Sequence, residues 1–100
     1  MSVWKDVKEI RELWLRLLQK REMYDFLKGS YAQYLFEQAM GLEPDPSDIS
    51  EVQYHISKVY EDVQALRYDF MVSLKNFREK HPRCMWVLGL MQIGNEKGAW

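Results

Sequence analysis

The sequence predicts an all-α fold, an antiparallel helical bundle built on one long helix in the C-terminal half of the chain. Three observations predict this fold. Apolar residues recur every three or four positions over two long stretches. Glycine and proline occur at only a few places, where helices are expected to end or to be connected. The single segment that also fits a β-strand has no second strand in the chain to pair with.

The longest stretch follows Pro46 and contains no glycine or proline before Pro82. Its apolar residues are spaced by three and four positions, with Ser73 at the one polar place, which indicates one continuous buried seam. We therefore expect a helix over about 46–80, with Asp45 as its N-cap and Pro46 as its first residue. The seam residues are Ile49, Val52, Ile56, Val59, Val63, Leu66, Phe70 and Phe77.

The N-terminal half has a similar apolar stripe that predicts a helix over about 3–28 packed along the long helix. Gly29 suits the left-handed position that follows the C-terminus of such a helix. The stripe consists of Val3, Val7, Ile10, Trp14, Leu17 and Tyr24.

A second short helix over about 31–40 is expected after Gly29. Ser30 and Gln33 have the spacing of a capping box, in which each side chain bonds the backbone of the other residue. The alternative is one long helix that is kinked at Gly29. Residues 41–45, which include Pro44, are expected to be a linker.

The most apolar segment of the chain lies near its C-terminus and predicts a short helix over about 84–93. The segment is about half as long as the ~20 residues that a membrane-spanning helix needs. We expect it to fold back as part of the core, with Met85, Trp86, Leu88 and Leu90 buried against the long helix and Gly89 allowing close approach. The alternative is that it is an exposed docking surface. Residues 95–100 are expected to form a flexible tail.

Length, composition and net charge favour some classes of protein over others. A chain of 100 residues with 47% hydrophobic residues fits one globular domain, 1–100. The formal net charge of −1 argues against a general nucleic-acid binder, which needs an excess of Lys and Arg. Cys84 is the only cysteine and the N-terminal residues do not resemble a signal peptide, so a reducing, cytoplasmic setting is expected.

The residues that could carry catalysis or bind metal are few. His81 and Cys84 supply only two of the four ligands of a zinc site, so no metal, cofactor or enzymatic activity is expected. His55 with Lys58 three residues later resembles the phosphorylated histidine of a phosphotransfer domain, although Val59 stands where that signature has glycine. Phosphotransfer through His55 is one alternative function.

A basic cluster at the end of the long helix suggests a second alternative, contact with nucleic acid or an anionic membrane. The competing interpretation is a solvated helix C-terminus whose cations complement the helix dipole. The candidate anion-contacting residues are Lys75, Arg78, Lys80 and Arg83.

Aromatic residues make up 14% of the chain, and this favours a non-catalytic protein–protein interaction module, which is an adaptor, an inhibitor or a chaperone-like regulator. The thinly flanked seam from Ile49 to Val59 further predicts a homodimer. The candidate partner-binding residues are Trp4, Tyr31, Tyr34, Tyr54, Tyr68 and Trp100.

Overall fold

A computed structural model of the chain describes residues 3–93. Within that range the protein is an all-α helical bundle without strands, as the sequence predicts. Helix α1 covers Val3–Ala39, α2 covers Pro46–Lys80 and α3 covers Met85–Leu90. The expected tail over 95–100 and Trp100 lie outside the described residues.

Helix α1 is continuous through Gly29. The prediction of two helices is therefore wrong, and the alternative of one long helix is correct. Ser30 does not act as an N-cap, because its Oγ donates to the carbonyl oxygen of Phe26 one turn earlier, at 3.2 Å. A glycine inside a helix costs about 1 kcal/mol relative to alanine. That cost is too small to end a helix whose neighbouring turns pack against a second helix.

The end of α1 agrees with the sequence pattern. Gly41 has a φ of +82°, and its N–H donates to the carbonyl oxygen of Gln38 at 3.1 Å. The N–H of Leu42 donates to the carbonyl oxygen of Glu37 at 2.9 Å. This pair of bonds is the Schellman motif, which needs the left-handed conformation that glycine adopts without strain.

The start of α2 is also as predicted. Asp45 Oδ1 accepts hydrogen bonds from the backbone N–H and the hydroxyl of Ser47, both at 2.9 Å. The bond from the Ser47 N–H, followed by that from its hydroxyl, lowers the pKa of the Asp45 carboxyl below its ordinary value, against a smaller opposing effect of desolvation. The helix ends at Lys80, directly before His81 and Pro82.

The chain divides into two compact units, and the expectation of one domain stays a prediction. The first unit contains Met1–Leu18 and Ala65–Trp100. In it α1 and α2 run antiparallel, and the rings of Trp14 and Phe70 lie 5.2 Å apart between centroids. Its buried side chains come from all three helices and from the turn after α3. They are Val7, Ile10, Trp14, Leu17, Phe70, Phe77, Val87, Leu88 and Ile93.

The second unit, Gln19–Gln64, is an antiparallel hairpin of the remaining parts of α1 and α2. Tyr24 and Tyr60 pack with ring centroids 5.8 Å apart, and Gln53 Nε2 donates to the Tyr31 hydroxyl oxygen at 3.1 Å. Among the residues described in this unit, only Val59 and Val63 are fully buried.

Helix α3 is shorter than expected, and only part of it enters the core. Val87 and Leu88 are buried, whereas Trp86 and Leu90 are exposed, so their predicted burial is wrong. A six-residue helix that packs on one side leaves its other side in water, however apolar that side is. A Cβ added at Gly89 would meet nothing within 4 Å, so close backbone approach does not explain this glycine.

Candidate functional site

A hydrogen bond between side chains joins the start of α1 to the residue after α2 within the first unit. His81 Nε2 lies 2.8 Å from Asp6 Oδ2, and both side chains are largely buried. The His81 ring also packs on Phe77, with the centroids 5.0 Å apart. The hydrogen bond with His81 lowers the pKa of Asp6, desolvation opposes it, and the nearby charges of Lys80, His81 and Lys5 lower it further.

The same carboxylate lines a small cleft of about 120 Å³ together with Glu9, Ser73 and Lys80. The hydrogen bond joins the first turn of α1 to the residue after the C-terminus of α2. Of the two carboxylates in the cleft, that of Asp6 is already bonded to His81. Within residues 3–93 no group of three His, Cys, Asp or Glu side chains is placed to hold a metal ion. We therefore interpret the Asp6–His81 pair as a structural contact.

The four cations of the basic cluster are in solvent. All four are exposed at or just after the end of α2. Their position at the helix C-terminus satisfies the negative end of the helix dipole. The four residues are Lys75, Arg78, Lys80 and Arg83.

His55 lies on the surface of the second unit with about half of its side chain exposed. Its Nε2 is 3.6 Å from Glu51 Oε1, and its ring meets the edge of Tyr54. Lys58 places its ammonium over the Tyr54 ring, 5.6 Å from the centroid. A carboxylate beside the imidazole disfavours an incoming phosphoryl group by like-charge repulsion.

The predicted partner-binding aromatics are divided between the two units. Tyr31 and Tyr34 of the second unit are half-buried, and Gln53 of α2 donates to the Tyr31 hydroxyl oxygen. Trp4 and Tyr68 are exposed in the first unit, and Tyr54 is exposed in the second. The five described residues therefore do not all belong to one unit.

Three strongly exposed apolar side chains of the second unit were not among the predicted residues. Phe26 is 72% exposed, Phe36 is 59% exposed and Met40 is 65% exposed. They lie on the side of α1 turned away from the residues that contact α2. One sequence signal could have revealed these residues. They form a second stripe with three- and four-residue spacing, on the side of α1 opposite the stripe that faces α2.

The first unit has its own exposed apolar residues, near α3. An open groove of about 560 Å³ is lined by Arg11, Leu15, Leu18 and Met91, with the buried Trp14 and Ile93 also contributing to its walls. Trp86 and Leu90 are exposed on α3. The apolar C-terminal run is therefore core on one side and exposed surface on the other.

Comparison with known proteins does not identify the chain. No protein-family profile, curated protein or solved structure matches it. In the described residues, no helix is both long enough and apolar enough to cross a membrane. The argument for function therefore rests on the surfaces described above.

Proposed function

We propose that the protein is a non-catalytic protein–protein interaction module that docks helical faces on a partner protein. The observation that carries this proposal is the contrast between burial and exposure in the second unit. Two of its described side chains are fully buried, while a larger set of apolar side chains is exposed. The exposed set is Met23, Phe26, Leu35, Phe36, Met40, Leu42, Tyr54 and Tyr60.

The exposed area is large for a unit of this size. These side chains together present on the order of 900 Å² if each fully exposed side chain presents roughly 200 Å². One partner of a standard protein–protein interface buries about 800 Å². Helices in water gain most of their stability from packing an apolar face, so a hairpin with so thin a core gains stability when a partner covers it.

The role of such a module is that of an adaptor, an inhibitor or a chaperone-like regulator, and self-association into a homodimer belongs to the same proposal. The half-buried Ile49, Val52 and Ile56 support it, because the helix pair leaves this end of the α2 seam partly open. A cytoplasmic setting fits Cys84, which is a free thiol.

The proposal is tested by cross-linking the full chain at micromolar concentration, first alone and then in extract of the host. Mass spectrometry identifies the cross-linked species. We expect a defined protein partner, a second copy included, that is lost when Phe26 and Phe36 are both changed to serine and kept when the exposed Tyr68 of the first unit is changed to serine. Uncross-linked monomer in both settings would overturn the proposal.

A further inference from the structure

One face of α1 in the second unit has the pattern of a coiled-coil seam but no helix against it. Its residues follow one another by three, four, three and four positions, which places them along one line of the helix surface. They are Phe26, Gly29, Gln33, Phe36 and Met40, called here the outer stripe. All five are exposed, whereas the residues of α1 that contact α2, such as Tyr24 and Tyr31, lie on the other side.

Gly29 has no role within the chain. A Cβ built on it would meet no atom within 4 Å, and its φ is not in the left-handed region, so alanine would fit and would suit a helix better. Glycine at the surface of a helix allows a second helix to approach closely. The neighbouring Ser30 and Ala32 are also small, so the middle of the outer stripe is a shallow depression between two phenylalanines.

We propose that the outer stripe is the interface of a homodimer, in which α1 of one chain packs antiparallel on α1 of a second copy. The proposal rests on the proposed function and names its partner. Antiparallel heptad packing places positions of type a opposite positions of type d. With the two-fold axis near residue 31, Phe26 of one copy lies opposite Phe36 of the other, and Gly29 lies opposite Gln33.

The part of the stripe from Phe26 to Phe36 is complementary to itself in this arrangement, whereas Met40 lies opposite Glu22. Phe26 and Phe36 are each five residues from position 31, so both phenylalanines find an aromatic partner at the same time. Ser30 and Ala32 lie beside the axis, where each faces its own copy and neither carries charge or bulk. A foreign partner would not require this symmetry, and for that reason we assign the stripe to a second copy.

The area agrees with a dimer of modest affinity. The exposed parts of Phe26, Phe36 and Met40 amount to on the order of 400 Å² per chain, at roughly 200 Å² per full side chain. Two copies therefore bury about 800 Å², which is below the standard size and in the range of weak, transient interfaces. We expect association in the micromolar range.

The first test compares two aromatic residues of equal exposure. Phe36 and Tyr54 are both 59% exposed in the second unit, but only Phe36 belongs to the outer stripe. Sedimentation equilibrium of the full chain between about 1 and 100 μM should give a dimer dissociation constant at least tenfold higher for Phe36→Asp than for wild type. Tyr54→Asp should change it less than threefold. Circular dichroism of both variants checks that the helices are retained.

Gly29→Ala distinguishes the effect of Gly29 on dimerisation from its effect on helix stability. Alanine should raise the melting temperature measured at low, monomeric concentration, because it favours the helix and meets no atom of its own chain. The same change should weaken dimerisation, because the added methyl groups prevent close approach. A variant that is more helical and equally dimeric would contradict the proposal.

Disulfide cross-linking tests the position of the two-fold axis of the dimer. In a Cys84→Ser background, Ala32→Cys should form a disulfide-linked dimer on mild oxidation, because the two residues face each other beside the axis. Ala65→Cys, an exposed alanine of α2, is the control and should stay reduced as a monomer.

The outcomes separate this inference from the proposed function. If wild type is a dimer that Phe36→Asp leaves intact, the outer stripe is not the interface, although self-association stands. If wild type is a monomer throughout and a different host protein is cross-linked, the second copy is the wrong occupant and the interaction module stands. If nothing is cross-linked in either setting, both proposals fail.

Discussion

The two units are built from the same two helices but differ in what they bury. The first unit buries nine apolar side chains among its described residues, and the second buries two. The difference is a third element, because α3 and the turn that follows it contribute Val87, Leu88 and Ile93 to the first core. Two helices share only one line of contact, and a third covers the flank that this line leaves open.

The aromatic residues of the two units also differ in burial. In the first unit Trp14, Phe70 and Phe77 are buried, although Trp4, Tyr68 and Trp86 are exposed. In the second unit Phe26 and Phe36 remain exposed, because nothing in this unit plays the part that α3 plays in the first. In the second unit no described element covers the flank of the helix pair. The outer stripe of α1, on the side away from α2, is a separate face, and it is the one that we propose for a second copy.

The largest expected effect is on the free energy of unfolding, when one phenylalanine in each unit is changed to alanine. Phe70→Ala removes a ring with 0% exposure and should lower the free energy of unfolding by about 3–5 kcal/mol. Phe26→Ala should change it by less than about 0.5 kcal/mol below the concentration of dimerisation. Urea unfolding measures both values. Similar losses would mean that the two units do not differ in packing.

A smaller effect is expected within α3, where two leucines form a matched pair. Leu88 is 4% exposed and Leu90 is 73% exposed. Leu88→Ala should cost about 2–4 kcal/mol, because it leaves a cavity in the first core. Leu90→Ala should be close to neutral in the same urea experiment. A large loss for Leu90→Ala would indicate that this side of α3 is covered in solution.

The Asp6–His81 pair predicts a pH dependence of the first unit. The pKa of Asp6 is lowered in the folded chain, so its ionised form stabilises the fold above its ordinary value of 3.8, and this contribution is lost as the pH falls through the lowered folded value. Asp6→Asn lacks this contribution. The unfolding free energy of wild type should therefore fall more steeply below about pH 4 than that of Asp6→Asn. Parallel curves would show that the pair contributes nothing.

The smallest expected effect concerns His55 in the second unit. His55→Ala should leave the free energy of unfolding within about 0.5 kcal/mol of wild type, because the ring is half exposed and its partner Glu51 is in solvent. Incubation of wild type with a small phosphodonor should give no acid-labile phosphate. Stoichiometric phosphorylation that His55→Ala abolishes would instead establish the phosphotransfer alternative.

Local signals in the sequence were sufficient where one short stretch of chain decides the structure. Asp45 and Pro46 begin α2, Gly41 ends α1, and the absence of any breaker between Pro46 and Pro82 predicts the long helix. The prediction at Gly29 was wrong for a reason that is not local. Helix on both sides of it packs on α2, through Tyr24 and Tyr31, and this packing outweighs the small preference of glycine for a break.

The candidate partner-binding residues stay a prediction. They include Tyr31 and Tyr34, which are half-buried, and omit Phe26 and Phe36, which are exposed. Apolar character does not show which of two stripes on one helix faces the partner helix of the same chain. Likewise, Asp6 and His81 are 75 positions apart, so no local pattern could join them.

What the sequence determined by itself is the kind of fold: spacing by three and four, together with the capping residues, requires helices and locates most of their ends. Only the tertiary structure decided which apolar residues become core. Trp86 and Leu88 lie in the same run, yet one is exposed and the other is buried, because burial depends on the neighbour across the contact and not on the residue alone. For the same reason Phe26 and Phe36 of the outer stripe are exposed although they are apolar.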